Sequence, residues 1–358
     1  MLHTDYMMSL FEDEQEEIDT WNESPEPQLY EHFKFVVDRG QTPLRIDKFL
    51  FDRIQNVSRN RIQEAAAAGA ILVNDVSVKA NYRVRPAEVI TVVMSYPPHE
   101  VIITPEPIPL NIVYEDSDLL VVNKPAGLVV HPGHGNYHGT LVNALAYYLK
   151  DEPLFDPNDP RLGLVHRIDK DTSGLLVIAK NEIAKTKLAE QFFHKTTHRL
   201  YHALVWGIIE QEEGTIEGHI GRNLKDRQMM AVFPDGEHGK AAVTHYRVLE
   251  RLGYVTLVEC RLETGRTHQI RAHMKYIGHP LFNDERYGGH EILRGTTFAK
   301  YKQFVLHCFE ACPRQALHAK TLGFVHPRSG EILNFDSELP ADMQLLVERW
   351  RAYISSRD

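Results

Sequence analysis

Residues 161–180, RLGLVHRIDKDTSGLLVIAK, set a dense group of charges between two apolar runs. Leu162 to Val165 leads in and Leu175 to Ala179 leads out. Short apolar runs bounded by turn residues read as buried strands. The connection HRIDKDTSG then lies at the edge of a sheet, with Asp169 between Arg167 and Lys170, and with His166 and Asp171 nearby. Close cations favour an ionised carboxylate, which suits a nucleophile or general base better than a general acid. Three readings of the turn compete. Asp169 and Asp171 can be turn formers that bond their own backbone, with Thr172, Ser173 and Gly174 finishing the turn. D-K-D-T-S-G can open a calcium loop, which requires Glu at its twelfth position. Counted from Asp169, that position is Lys180, so this reading fails. In the third, Asp169 is catalytic, and the rest of the chain must decide.

A chain of 358 residues has room for about two to three domains. No run approaches the ~18 apolar residues of a membrane span, and the N-terminus lacks the basic and apolar regions of a signal peptide. Cys260, Cys308 and Cys312 form a sparse, odd set, as expected in a reducing cytoplasm. The formal charge of −9 argues against nucleic acid until its distribution is considered. Residues 1–42 hold eleven carboxylates against Lys34 and Arg39, so the rest of the chain is neutral overall. Local patches must therefore carry any electrostatic argument.

Residues 1–29 are acidic and aperiodic and read as a disordered tail. Residues 30–37 predict a strand. Ile46, Phe49, Leu50 and Ile54 then mark one face of a helix. Ser58 caps and Gly69 stops a second helix, and Ile71 to Val78 folds into a hairpin at Asn74-Asp75. The segment 42–92 carries eight cations against five carboxylates. Its run of R-I-D-K-F-L, S-R, A-G, I-L-V-N and V-I-T-V resembles the S4 RNA-binding module, which implies a domain over 30–95. Pro97, Pro98, Pro105, Pro107 and Pro109 make residues 96–109 a semi-rigid linker.

From residue 110 the pattern is strand-rich. Asn111 to Tyr114 and Leu119 to Asn123 flank an acidic turn, and residues 140–149 predict a helix. His131, His134 and His138 invite a zinc reading, but no Cys or carboxylate completes the set. A helix is predicted over 182–193, then a strand that starts near Tyr201. Residues 215–235 read as an irregular basic loop with Arg222, Lys225 and Arg227 exposed. Residues 241–249 and 254–262 read as a hairpin. In ETGRTHQIRAHMKYIGHPLFND (263–284), Thr267 can cap a helix whose apolar face is Ile270, Met274 and Ile277. His268, Arg271 and Lys275 share its other side and call for an anionic partner. Residues 297–311 predict an amphipathic helix with buried free thiols at Cys308 and Cys312. Residues 314–335 read as two strands around HPRSG, and 340–353 as a closing helix.

Together V-N-K-P-A-G-L, H-R-I-D-K-D-T-S-G, R-L-Y-H-A-L-V-W-G, T-G-R-T-H-Q-I-R-A-H, I-G-H-P and L-H-A…H-P-R-S-G resemble the RluA family of pseudouridine synthases over about residues 42–345. An S4 module ahead of the catalytic domain resembles the RluD-like branch, which acts on large-subunit ribosomal RNA. Ile168 stands where the family usually has Leu, and the acidic extension is longer than the family needs. The resemblance implies an α+β chain: a small S4 (αL-type) domain, then a catalytic domain over 110–356 with a large mixed, mainly antiparallel sheet and flanking helices. It implies that Asp169 is the essential aspartate and that Tyr201 stacks on the target uracil and accepts a proton. Arg271 would pair with the aspartate, and Arg167 would fill the space of the flipped base. Lys124, His131, Arg266 and His268 are expected as further RNA contacts, with Arg45, Lys48, Arg59, Arg61 and Lys79 in the S4 segment. Breaking N1–C1′ and joining C5 to C1′ oxidises nothing and spends no phosphate. No cofactor or metal is therefore expected, and neither G-x-G-x-x-G nor G-x-x-x-x-G-K-[ST] occurs. The expectation is a cytoplasmic monomer that acts on RNA, most of all ribosomal RNA in an assembly intermediate, away from membranes. The rival readings are a non-catalytic RNA-binding or ribosome-assembly protein and a synthase acting on transfer RNA.

Overall fold

Alternation and turn chemistry set the elements of both units. The computed structural model describes residues 30–54, 58–94, 103–133, 136–152, 162–226 and 229–356. Two units divide after Ile102. The acidic tail, much of the proline linker, His134, the turns at 153–161 and Arg227 lie outside the described residues.

In the first unit, β1 (Tyr30–Val36), β4 (Val89–Met94), β2 (Ile71–Val73) and β3 (Val76–Ser77) form a sheet in that order. Asn74 and Asp75 both take positive φ in the β2–β3 turn, as short polar side chains allow. Helix α1 (Ile46–Phe51) and helix α2 (Arg59–Ala67) pack Ile46, Phe49, Leu50, Ile62 and Ala66 against Ile71, Val73 and Ile90 of the sheet. Within this apolar core sits Asp47, with no exposed surface. It accepts hydrogen bonds from Arg45 Nη2 (3.0 Å), Arg59 Nη2 (2.9 Å) and Gln63 Nε2 (2.8 Å). Burial opposes its charge, but these donors hold the carboxyl far below its ordinary pKa.

The second unit is a ten-stranded sheet. Its strands are β5 (Ile112–Glu115), β6 (Leu119–Lys124), β7 (Ser173–Ala179), β8 (His198–Trp206), β9 (Glu213–Arg222), β10 (Met230–Phe233), β11 (Lys240–Arg251), β12 (Val255–Leu262), β13 (Leu317–Val325) and β14 (Ile332–Asp336). The order is β10-β9-β11-β12-β8-β13-β7-β6-β5, with β14 paired to β13. All pairings are antiparallel except β13 with β7. Alternate residues of β8 serve opposite faces. Tyr201, Ala203 and Val205 join the cluster that includes helix α3 (Leu141–Tyr148) and the apolar side of helix α5 (Gln269–Tyr276). Leu204 and Trp206 join Phe282, helix α6 (Ala299–Ala311) and helix α7 (Ala341–Ser355), where Trp350 is fully enclosed. Each such aliphatic or aromatic side chain contributes roughly 1.5–3 kcal/mol when fully buried. Helix α4 (Glu182–Phe193) connects β7 to β8, capped by the Asn181 side chain at Ala184 N. Cys260, Cys308 and Cys312 are free and buried, and burial pushes the thiols of Cys308 and Cys312 up to about 12. Among the described residues no helix is long and apolar enough to cross a membrane.

Two expectations are corrected. Leu162 to Val165 is buried but is not a strand: Leu162 and Gly163 both turn through positive φ, and only Leu164 bridges to Ile178. Residues 215–235 are not an irregular loop but mostly strands β9 and β10, a hairpin in register from Arg222↔Met230 to His219↔Phe233. Gly214, Gly218 and Gly221 carry no side chain to show the alternation, so this pair reads as loop. Gly221 admits no Cβ, since one would meet the Gly239 backbone at 2.9 Å.

Candidate active site

The loop between Val165 and Ser173 is held by its neighbours through backbone groups. Lys124, at the end of β6, donates from Nζ to the carbonyls of Pro125, Leu128 and Lys170, each at 2.8 Å. Three carbonyls use three N–H donors, so the pocket is built for the ammonium form. Burial nevertheless pulls its pKa down to about 7, against the attraction of Asp169 and Asp171. With 1% of its surface exposed, Lys124 cannot be the RNA contact expected from sequence; it fastens the loop. Arg314 works from the other side. Its Nη1 donates to Asp171 O (2.9 Å) and Leu317 O (3.1 Å), while Asp342 Oδ2 accepts from Nε at 2.7 Å. His166 accepts from Val177 N at 3.0 Å through Nε2, which leaves its ring proton on Nδ1. Burial, with Arg199 adding to it, pushes His166 down to about 3, so a neutral imidazole stacks on Phe192 at 4.4 Å. At the loop's end Gly174 (φ +123) runs against β13, where a Cβ would stand 2.2 Å from Ala319 O. Only glycine fits there.

Within this frame the Asp169 carboxylate, one quarter exposed, takes a hydrogen bond from Arg271 Nη1 at 3.0 Å. The rest of the guanidinium is engaged by Asp284, which has no exposed surface. Its Oδ2 accepts from Nε at 2.8 Å and its Oδ1 from Nη2 at 3.0 Å. Tyr287 N also donates to Asp284 Oδ1 (3.1 Å), and the Tyr287 ring lies 4.9 Å from the guanidinium carbon. Arg271 is thereby fixed in orientation, with one edge left for Asp169. Burial disfavours the Asp169 charge, but His268, Arg271 and Arg167 outweigh it and hold the carboxyl below its ordinary value. His268 acts only in acid, since burial pushes it down to about 4. At neutral pH Arg271 and Arg167 supply the field.

The motif T-G-R-T-H-Q explains how Arg271 arrives there. Gln269 Oε1 accepts from Thr264 Oγ1 (2.7 Å) and Arg266 N (2.9 Å), and Gln269 Nε2 donates to Val243 O (3.0 Å). This ties the start of α5 to β11. The N-cap is His268, not Thr267, and it takes a left-handed conformation (φ 51°), which strains a residue other than glycine. Tyr287 Oη accepts from Met230 N (2.9 Å) and meets His268 Nδ1 at 3.0 Å. The phenol proton therefore goes to Nδ1, leaving the His268 proton on Nε2, 3.9 Å from Asp169 Oδ2.

Tyr201 stands on β8 between Cys260 of β12 and Ala319 of β13. It is 7% exposed. Burial pushes its hydroxyl up, with Asp169 adding to the shift and Arg199 opposing it. A protonated phenol is not a resting base. The other residues singled out from sequence are dispersed. Arg167 is half-buried beside Asp169. Arg266 Nε donates to Ala241 O at 3.2 Å. His131 is buried against Pro132 O at 3.0 Å. Lys48 and Lys79 are exposed, whereas Arg45 and Arg59 turn to Asp47 with nearly half of each side chain exposed. The Arg61 side chain lies outside the described residues. Lys275 is exposed, with Nζ 5.7 Å from the centre of the Tyr287 ring; Arg271 alone of the three expected helix cations meets carboxylates in an ion pair at 2.8–3.0 Å. Sequence reasoning missed Asp284, Tyr287 and Arg314. Asp284 closes the very stretch that carries Arg271, but a separation of 13 residues has no helical periodicity that would pair them.

Comparison with known proteins identifies the family. Residues 118–276 match the RNA pseudouridylate synthase family, and residues 44–90 match the S4 domain. An uncharacterized RNA pseudouridine synthase of Chlorobaculum parvum is 47% identical over 89% of this chain and 98% of its own length. A ribosomal large subunit pseudouridine synthase D of Zymomonas mobilis is 44% identical over 85% of this chain and 93% of its own. Among solved structures, human RNA pseudouridylate synthase domain containing 4 superposes with a TM-score of 0.51 at 25% identity, covering 67% of this chain and 93% of that one. The chain belongs to the RNA pseudouridine synthase family, as a member with an S4 domain ahead of its catalytic domain.

Proposed function

We propose that this enzyme converts uridines of large-subunit ribosomal RNA to pseudouridine, with Asp169 as the catalytic group. The observation that carries the reading is the ion pair of Asp169 with Arg271, itself oriented by Asp284. The reaction breaks N1–C1′, turns the base, joins C5 to C1′, and moves the C5 proton to N1. A carboxylate beside the sugar can add to C1′, or can take the C2′ proton. Either step requires the ionised form, which Arg271 maintains. The base must first leave its stack, at a cost of a few kcal/mol. Tyr201 then presents its ring to the uracil, and Arg167 fills the gap left behind. Lys48, Lys79 and the exposed edges of Arg45 and Arg59 meet phosphates and hold the RNA without reading its sequence.

Ribosomal RNA as substrate is supported by the S4 match and by relatives named as large-subunit synthases. The same reading makes the protein a cytoplasmic monomer. A base-resolution pseudouridine map of ribosomal and transfer RNA, from cells with and without the protein, tests it. Sites lost only from the large subunit are expected. Loss confined to transfer RNA, or no loss at all, would contradict the substrate.

A further inference from the structure

Arg199 is as buried as the apolar core, with 7% of its surface exposed. Its Nε is a buried donor with no acceptor. Among the described residues its guanidinium meets no carboxylate and makes no hydrogen bond. Its recorded partner is a ring: the guanidinium carbon stands 5.4 Å from the centre of Phe192, which also stacks on His166. An arginine keeps its charge in any protein environment, and an unpaired charge away from water is strongly unfavourable. The neutral imidazole of His166 beside it registers the same field.

The position of this unpaired cation is informative. Arg199 precedes Tyr201 by two on β8, so both side chains leave the same face of the sheet. Its Nη1 borders Gly265, an exposed glycine where a Cβ would lie 3.0 Å away. Gly265 opens the turn that leads through His268 into α5, the helix of Arg271. The guanidinium therefore borders an exposed glycine on the sheet face that carries Tyr201, with no donor spent on a described residue.

We propose that Arg199 binds a backbone phosphate of the RNA next to the flipped uridine, setting the depth at which that base meets Tyr201 and Asp169. A guanidinium fork matches a phosphate in charge and geometry, and the RNA supplies the anion that the described residues do not. The proposal rests on RNA being the substrate. It adds a positioning residue that the chemistry of Asp169 does not require.

The test uses the full chain and RNA oligonucleotides spanning a uridine that it converts. Single methylphosphonates replace, one at a time, the phosphates within three nucleotides of that uridine. In the unaltered protein one such neutral linkage is expected to weaken binding about tenfold or more. In Arg199→Met the same linkage should have almost no further effect, and the slope of log affinity against log salt should fall by about one. Arg199→Lys should keep the slope while losing part of the position-specific effect, and it carries the test if the methionine variant does not fold. Equal losses in variant and unaltered protein at every linkage, with equal slopes, would overturn the proposal. An unaltered protein that neither binds nor converts the RNA would contradict the RNA reading itself.

Discussion

Arg271 is the residue on which the site turns, because it joins a partly exposed carboxylate to a fully buried one. Asp284 makes two of the three guanidinium contacts to carboxylates and never reaches the substrate side. Removing it would let the arginine rotate away from Asp169. Asp284→Ala is therefore expected to lower the single-turnover rate by about 10²-fold with RNA affinity little changed; an unaltered rate would show that Arg271 needs no second anchor. The same geometry fixes a pH response. The Asp169 pKa is depressed, so its ionised form is present above that value and is lost only as pH falls through it. His268 sits at about 4 and is neutral above that. The acid limb of the single-turnover rate should then lie below about pH 5, and the rate should fall as pH rises past about 7, where Lys124 loses the proton with which it fastens the loop. A limb on which the rate rises with pH at an apparent pKa between 6 and 8 would mean that a histidine, not Asp169, carries the proton. At this scale sequence was partly legible. Asp169 and Arg271 stood out by motif and resemblance, but Lys124 was misread. A lysine beside an exposed Pro-Gly loop suggests a solvent-facing cation, and only the distant segment at Lys170 completes, with Pro125 and Leu128, the three carbonyls that enclose it.

The element that matters most is the Asp169 loop, which lacks regular structure and is held from outside. Lys124 gathers carbonyls from residues 125, 128 and 170, so it joins β6 to the loop across 46 positions. Lys124→Met would leave those carbonyls unsatisfied, at about 1–3 kcal/mol for each one that finds no water. The expected result is a melting temperature lower by several degrees and a slower reaction at nearly constant RNA affinity. Unchanged melting would show that the carbonyls find other donors. Strands such as β8, β11 and β12 were readable because their β-branched, aliphatic and aromatic residues fit a pleated, largely buried surface. The β9–β10 hairpin was not, since Gly221 is demanded by the Gly239 backbone and Gly214 and Gly218 by the packed side chains of Tyr246 and Val232, and these glycines blank out the pattern. Leu162 to Val165 misled in the opposite way. Burial made it apolar, but positive φ at two successive residues kept it from pairing as a strand.

At the scale of the molecule, two units divide the work. The S4 unit has its own core and its own buried carboxylate, Asp47, which holds two of the arginines expected to meet RNA. Domain order and fold class were legible because each unit has its own hydrophobic pattern. The charge of the whole chain was misleading, since its first 42 residues account for it. Deleting residues 1–95 is expected to weaken binding to ribosomal RNA much more than it slows conversion of a short model substrate. Equal effects on both would argue against a separate targeting role. The central claim is that one ionised carboxylate, Asp169, performs the isomerisation. Its most direct test is Asp169→Asn, which keeps shape and removes charge, measured for pseudouridine formation and RNA affinity on the same RNA. No detectable pseudouridine is expected, with affinity within about twofold of the unaltered protein, because the Asp169 charge contributes to the reaction and not to holding phosphates. Pseudouridine formed at the normal rate would contradict it.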